Sequence, residues 1–312
     1  MIKNKNVLIT GGKGFIGSHL VKALSNNNNV KIYDIKNGKD IRNFKLLKKE
    51  LENIDFVFHF AALISVEESI RNPLEYIETN IIGSFNVLKA ASETGVKKVI
   101  FSSSAAVYGD YPKNPKKENM PIIPKSPYAF SKVATEKFME IFRNNGLNTI
   151  SLRFFNVYGP GQKLSSSYAS VIPIFIKKTL KNEDLIIYGS GKQTRDFIYV
   201  DDIANACILA AEKGSEVFNI GSGKSFSINE LSNLIIELTD SKSKIKNDKQ
   251  REGDIVHSLA DITKAKKYLG FKPRYGIREG LENTIEWFKN QKKLNLKYPI
   301  SIKPNLFRSK KG

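Results

Sequence analysis

Residues Val7–Thr10 form a short run of apolar and β-branched side chains that passes directly into Gly11-Gly12-Lys13-Gly14-Phe15-Ile16-Gly17, where helical apolar spacing begins at once. A strand that turns through glycines straight into a helix leaves few folds open, because the helix must pack back on its own strand within a layered sheet. Val30–Tyr33, Phe56–Phe60, Lys98–Ser102 and Thr149–Arg153 also read as strands. Between them Gly17–Ser25, Ile81–Thr94 and Ser131–Asn144 carry helical spacing. Such alternation predicts an α/β fold: a doubly wound parallel sheet with helices on both faces.

The pattern loosens after Asn156, where Tyr158-Gly-Pro-Gly-Gln162 and the serine run Ser165–Ser167 precede the next helix. The chain is therefore divided into a first domain over 1–156, to which 198–220 returns, and a smaller C-terminal lobe from 157–197 and 221–290. A basic tail over 291–312 lacks clear periodicity and is expected to be partly disordered. No apolar run reaches the ~18 residues of a membrane span, and the first residues lack a signal-peptide pattern, so a cytoplasmic protein without membrane association is expected. The single cysteine, Cys207, lies in an apolar run and reads as core; it excludes a disulfide or a cysteine-based metal site within one chain. His19, His59 and His257 are isolated along the chain, with ordinary structural roles expected, and no metal site is expected. The net charge of +19 comes mostly from scattered lysine. Without an aromatic RNA-binding signature or a cysteine–histidine finger it does not argue for a nucleic-acid partner, but it suits an anionic substrate.

Glycines after the first strand let the chain turn tightly, bring its amides against a pyrophosphate and pack the helix closely, here with the spacing GxxGxxG. The second strand ends at Asp34, about twenty residues on, where a carboxylate accepts hydrogen bonds from adenosine ribose hydroxyls and repels a 2′-phosphate. Ile35 follows rather than an arginine, which favours NAD over NADP, although Lys36 stands nearby. Asp40 and Ile41 either border adenine or belong to a solvated loop.

Further along the chain, strand Lys98–Ser102 opens into Ser103-Ser104-Ala105-Ala106-Val107-Tyr108-Gly109, and Tyr128-Ala-Phe-Ser-Lys132 follows on a predicted helix. Four-residue spacing puts Tyr128 and Lys132 on one face, where an ammonium lowers the phenol's pKa. A phenol near pKa ~10 is a poor base at neutral pH, and the lysine together with a positive nicotinamide ring would bring it toward working range.

These segments, with His59-Phe-Ala-Ala62, Asn80 in Thr-Asn-Ile-Ile-Gly, Leu152-Arg-Phe-Phe-Asn-Val-Tyr-Gly-Pro160, Arg195-Asp-Phe-Ile-Tyr-Val-Asp-Asp202 and Arg251-Glu-Gly-Asp254, resemble the extended short-chain dehydrogenase/reductase family. More narrowly, they resemble its nucleotide-sugar 4-epimerases, from Val7 to about Trp287. The resemblance implies a Rossmann-like fold holding NAD as a catalyst that is not consumed. Gly11, Gly14, Phe15, Ile16, Gly17, Asp34, Asp40, Ile41, Ala61, Ala62, Asn80, Ser102, Tyr128 and Lys132 are the implied cofactor residues. Tyr128 would remove the sugar's 4-hydroxyl proton, Ser104 would bond the same oxygen, and Lys132 would hold the nicotinamide ribose. Arg195 and Arg251 would grip the substrate diphosphate, Asn156 would contact it, and Asp254 would help place the nucleoside ribose. A homodimer through Ile81–Thr94 and Ser131–Asn144 is also implied.

Sugar 4,6-dehydratases of this family carry Asp-Glu after the Ser/Thr, and its decarboxylases usually show a glutamate nearby; this chain has Ala105-Ala106. Epimerisation of a UDP-sugar is therefore the expected reaction. A UDP-glucuronate 4-epimerase, with Ser165–Ser167 or Ser102–Ser104 near the carboxylate, stays open. So does a non-catalytic nucleotide-sugar sensor, against which the intact Ser104, Tyr128 and Lys132 argue. Ser258, four residues after Asp254, and Ser170 leave room for an acetamido group, while Ile64 narrows the other wall. Acceptance of UDP-GlcNAc and UDP-GalNAc beside UDP-Glc and UDP-Gal is expected.

Overall fold

A computed structural model of the chain describes residues 2–162, 170–249 and 256–297. Strands β1 (Asn6–Thr10), β2 (Asn29–Tyr33), β3 (Phe56–His59), β4 (Lys98–Ser104), β5 (Thr149–Phe154) and β6 (Val217–Ile220) form one sheet in the order β6-β5-β4-β3-β1-β2. Every neighbouring pair is parallel. The longer helices are α1 (Phe15–Leu24), α2 (Gly83–Glu93), α3 (Pro127–Asn144), α4 (Val171–Thr179), α5 (Val200–Glu212), α6 (Ile228–Thr239) and α7 (Ile277–Lys297).

Parallel strands need crossovers, and crossovers cover both faces of the sheet, so apolar side chains are buried on both sides. In β1, Val7 and Ile9 join one core with Leu20 and Leu24 of α1 and Ile203 and Cys207 of α5. Leu8, pointing the opposite way, joins a second core with Val87 and Leu88 of α2 and Met139 of α3. The fold is the doubly wound, Rossmann-like α/β arrangement read from the alternation. A third core, with Ile172 and Phe175 of α4, Leu231 and Ile235 of α6 and Leu281 of α7, lies under the short strands Leu185–Tyr188 and Ile245–Asp248.

Strand order reverses between β1 and β3, and a crevice opens beyond the carboxyl ends of strands at such a reversal. That crevice is where the site residues gather. One boundary differs from the sequence reading: α7 continues to Lys297, so the segment from 291 begins as helix. Its lysine, glutamine and leucine are good helix formers, and they extend a helix already nucleated by packing. Residues 298–312 lie outside the described residues. Among the described residues no helix is long and apolar enough to cross a membrane.

Candidate active site

A cleft of about 600 Å³ runs along the carboxyl ends of the strands. Thirteen of the expected cofactor residues line it: Gly11, Gly14, Phe15, Ile16, Gly17, Asp34, Asp40, Ile41, Ala61, Ala62, Ser102, Tyr128 and Lys132. Gly11 holds a φ of +69°, and a Cβ there would stand 2.7 Å from the Ala61 amide nitrogen. A Cβ at Gly17 would run into the Gly11 carbonyl, so only glycine lets α1 start this close to β1. Helix α1 begins with Gly14 as N-cap, without a side-chain cap bond. Its first amides suit an anion such as a pyrophosphate.

At the adenosine end Asp34 is buried and accepts from the amides of Lys13 and Lys36, each at 2.9 Å. Each carboxylate oxygen keeps a second lone pair for a ribose hydroxyl. Asp40 lines the cleft but is chelated by Arg42, whose Nη2 lies 2.6 Å from Oδ2. Hydrogen bonds from Arg42 hold the Asp40 carboxyl below the usual carboxylate range. Arg42 also lines the cleft; the sequence reading missed it, although its place two residues after Asp40 was the available signal.

Asn80 does not reach the cleft. It is buried, its Oδ1 accepts from the Leu63 amide at 2.8 Å, and its Nδ2 donates to the Leu63 carbonyl at 2.9 Å and to Ser131 Oγ at 3.1 Å. It holds the main chain of Leu63, which lines the cleft. Its own segment, Ile77–Ile82, is a π-helical turn, so regular α2 starts at Gly83, two residues after the Ile81 start that the spacing predicts.

Ser126 caps α3 by accepting from the Ala129 amide at 3.1 Å, with Pro127 in the first turn, which places Tyr128 at the mouth of that helix. Tyr128, Lys132 and Glu136 then recur at four-residue intervals along one face. Ser104, at the end of β4, caps the turn Ala105–Tyr108 by accepting from the Ala106 amide at 3.1 Å, and it lines the cleft with Tyr128, whose phenol pKa its hydroxyl draws down. Lys132 is buried, with Nζ 2.8 Å from the Ser102 carbonyl and 5.8 Å from the centre of the Tyr128 ring.

The electrostatics depart from the sequence expectation. Burial pushes the Tyr128 phenol up, and its bond to Ser104 only partly offsets that. The same burial lowers Lys132 to about 7, with Glu136 opposing the shift. Desolvation disfavours both the phenolate and the ammonium, so the protein alone does not bring Tyr128 into working range.

Two buried networks missed by the sequence reading support these groups. Arg153 grips Glu136 with two bonds, of 2.9 and 2.7 Å, while Ser103 Oγ donates to the same carboxylate. Beneath the β1 and β3 ends, Thr10 Oγ1 lies 2.7 Å from His59 Nδ1, and His59 Nε2 lies 2.8 Å from Ser84 Oγ. Ser84 donates to the Asn80 carbonyl, and Thr10 accepts from the Phe60 and Ala61 amides. One proton arrangement satisfies the chain: Thr10 donates to Nδ1 and Nε2–H donates to Ser84. His59 is thus neutral, as its lowering to about 3 by burial and by Lys132 requires.

Of the expected substrate residues that are described, Ser104 lines this cleft, while Asn156, Ser170, Arg195 and Ser258 are not among its lining residues. Asn156 Nδ2 donates to the Asp196 carbonyl at 3.1 Å. Arg195 lies next to Asp196 in sequence and opposite Ser258 in parallel register. Arg195 and Ser258 share one small sheet, and Asn156 lies on the neighbouring strand pair of Asn156–Tyr158 with Phe197–Tyr199. Ser170 is the N-cap residue of α4, without a side-chain cap bond. Arg251, Asp254 and Ser165–Ser167 lie outside the described residues. Ile64 lines the cleft at its rim and is 74% exposed.

The dinucleotide fit also has an orphan. Gln162 lines the cleft, and its Oε1 is buried without a hydrogen-bond partner.

Residues 7–221 match the model of the NAD dependent epimerase/dehydratase family. A UDP-N-acetylglucosamine 4-epimerase from Methanobrevibacter ruminantium M1, solved with UDP-N-acetylmuramic acid, is 43% identical with a TM-score of 0.90, over 93% of this chain and 100% of that one. A UDP-glucose 4-epimerase from Thermotoga maritima, solved with UDP-glucose, is 39% identical with a TM-score of 0.88, over 92% and 99%. A UDP-N-acetyl-alpha-D-glucosaminuronate decarboxylase of Bacillus cytotoxicus is 37% identical over 91% of this chain and 98% of its own length. Relatives this similar carry names for different reactions, so the reaction must be argued from the site.

Proposed function

The chain belongs to the NAD-dependent epimerase/dehydratase family, and from that premise we propose that it is a UDP-sugar 4-epimerase acting through a transient 4-keto sugar. The cofactor is NAD, supported by the fit of the glycine turn, Asp34 and the cleft. Bound in its oxidised form, NAD supplies a hydride acceptor at the sugar C4 and a positive charge beside Tyr128 and Lys132.

Tyr128 takes the proton from the 4-hydroxyl, and Ser104, which lines the cleft with it, steadies the same oxygen. Lys132 bonds the nicotinamide ribose and sets the local charge on Tyr128. Tyr128 then returns the proton when the ketone, turned over in the site, is reduced on its opposite face. One proton carrier suffices, because the proton leaves and rejoins the same oxygen.

The observation that carries this reading is the make-up of the Ser104 end. Ser104, Tyr128 and Lys132 line the cleft together, and Ala105 and Ala106 follow Ser104 in sequence where the acid and base for eliminating water would be carried. Among the described residues the carboxylates lining the cleft are Asp34, Asp40 and Glu75, and Asp40 and Glu75 act on Arg42. Glu136, near Lys132, is spent on Arg153.

Arg195, with Arg251, serves the diphosphate, Asn156 contacts it, and Asp254 helps place the nucleoside ribose. Half-buried Ser258, beside Arg195, and Ser170 leave room for an acetamido group. Both N-acetylated and plain UDP-hexoses are accordingly substrates.

The protein works as a homodimer. Phe85 of α2 packs edge-on against Phe138 and Phe142 of α3, and Ile141 and Phe130 on α3 are 53% and 55% exposed. An apolar face of two adjacent helices suits a second copy.

Incubation with UDP-Glc, UDP-GlcNAc and UDP-glucuronate, followed by separation of products, tests the reaction. C4 epimers support it; loss of carbon dioxide or water, or binding without isomer exchange, contradicts it.

A further inference from the structure

Three neighbouring strands carry a polar row that the proposed reaction does not use directly. Ser103 of β4, Arg153 of β5 and Asn219 of β6 are partners in the parallel ladders, and all three are buried. In β4 the row continues Val99 and Phe101, which face the core shared with α3.

Arg153 is the node of this row. Its Nε and Nη2 hold Glu136 of α3, four residues after Lys132, and its Nη1 donates to the Tyr108 hydroxyl at 2.8 Å and to the Glu118 carbonyl at 3.2 Å. Tyr108 in turn donates to Asn219 Oδ1 at 2.7 Å. Tyr108 closes the turn that Ser104 caps. One guanidinium therefore holds both pieces that carry the catalytic set: α3, with Tyr128 and Lys132, and the turn that starts at Ser104. Arg153 itself is not among the residues lining the cleft.

Stability alone does not explain such a node. Desolvation offsets much of the attraction between two buried charges, and well-packed apolar side chains often serve a fold as well. What a buried guanidinium adds is geometry, because its donors lie in one rigid plane and fix Glu136 and Tyr108 relative to each other. The proposed reaction needs that geometry, since Ser104 and Tyr128 must meet one sugar oxygen.

We propose that Arg153 is a positioning residue: it sets α3 and the turn after Ser104 in register, so that Tyr128 and Ser104 converge on the same substrate oxygen. The assignment rests on the reading of Tyr128 as the proton carrier.

The test is the pH profile of kcat for the full-length, NAD-loaded protein with UDP-Glc or UDP-GlcNAc, whichever turns over faster. Wild type is compared with Tyr108→Phe, Arg153→Lys and the double variant. Ser104 draws the Tyr128 phenol down, so a displaced Ser104 leaves Tyr128 active as a base only at higher pH. Tyr108→Phe removes one hydroxyl and leaves every charge in place. It should lower kcat about tenfold, keep KM within about twofold, and move the acid limb of the profile up by about half a unit or more. Arg153→Lys, a point charge in place of the fork, should act at least as strongly, and adding Tyr108→Phe to it should cost little more, because Tyr108 acts through Arg153. A merely structural role would scale kcat by one factor at every pH and leave the limb in place, which overturns the proposal. Unchanged kcat in Tyr108→Phe, or losses that multiply in the double variant, overturn it too. Tyr108→Phe decides the question alone where Arg153→Lys does not fold. A wild type that turns over neither sugar, or whose profile has no acid limb, overturns the reading of Tyr128 itself, and this assignment with it.

Discussion

Lys132 Nζ donates to the main-chain carbonyl of Ser102 at 2.8 Å, joining helix α3 to the end of β4 two residues before Ser104. The ammonium is buried beside that carbonyl, and burial lowers its pKa to about 7 from the ordinary 10.5. In the nucleotide-free protein Lys132 should therefore titrate near neutrality, measured by lysine side-chain NMR with Lys132→Met to assign the signal. The sign follows for stability: between about 7 and 10.5 the unfolded chain holds a proton that the folded one has lost, so this group makes the fold more stable as pH rises through that window. A midpoint above 10 contradicts the account. Lys132→Met should also lower turnover by about a hundredfold or more.

His59 gives the acid side of the same argument. Its pKa falls from 6.5 to about 3 on folding, so between those values the unfolded chain binds a proton that the native one excludes, and stability is lost as pH falls. Chemical denaturation at pH 7 and pH 5 should show the wild type losing about 1–2 kcal/mol more than His59→Gln over that step. Equal losses would mean that the buried imidazole is not held neutral.

Ser258 sits opposite Arg195 in the ladder, and the substrate reading leans on its small size. Ser258→Tyr should depress turnover of UDP-GlcNAc about tenfold or more relative to UDP-Glc, the range a steric change in a pocket commands. An unchanged ratio removes Ser258 from the specificity argument.

Placing two carboxylates on the exposed face of α2 and α3, as Phe85→Glu with Ile141→Glu, should turn a dimer into a folded monomer by light scattering. A wild-type monomer contradicts the dimer proposal.

How much of this was legible in the sequence depends on whether a feature is local. The glycine turn, Asp34 and the Tyr128–Lys132 spacing are local, and the structure brings all of them to one cleft. Boundaries moved where neighbours decided them: β4 runs to Ser104, two residues past its apolar run, because Ser103 and Ser104 pair with Arg153 and Phe154 of β5. The networks were not legible. Thr10 meets His59 across forty-nine residues, and Arg153 meets Glu136 between a strand and a helix. Nothing in the spacing of such residues reports their contact. Nor did the spacing show that burial would raise Tyr128 despite its lysine, since the direction depends on how far water is excluded.

The central claim is that a hydride leaves C4 of a UDP-sugar and returns to the same carbon. A UDP-sugar deuterated at C4, incubated with the protein and followed by NMR, tests this directly. The account predicts the C4 epimer with its deuterium retained, and no conversion by Tyr128→Phe above about a hundredth of the wild-type rate. Loss of the deuterium to solvent, or a product lighter by water or carbon dioxide, would contradict it.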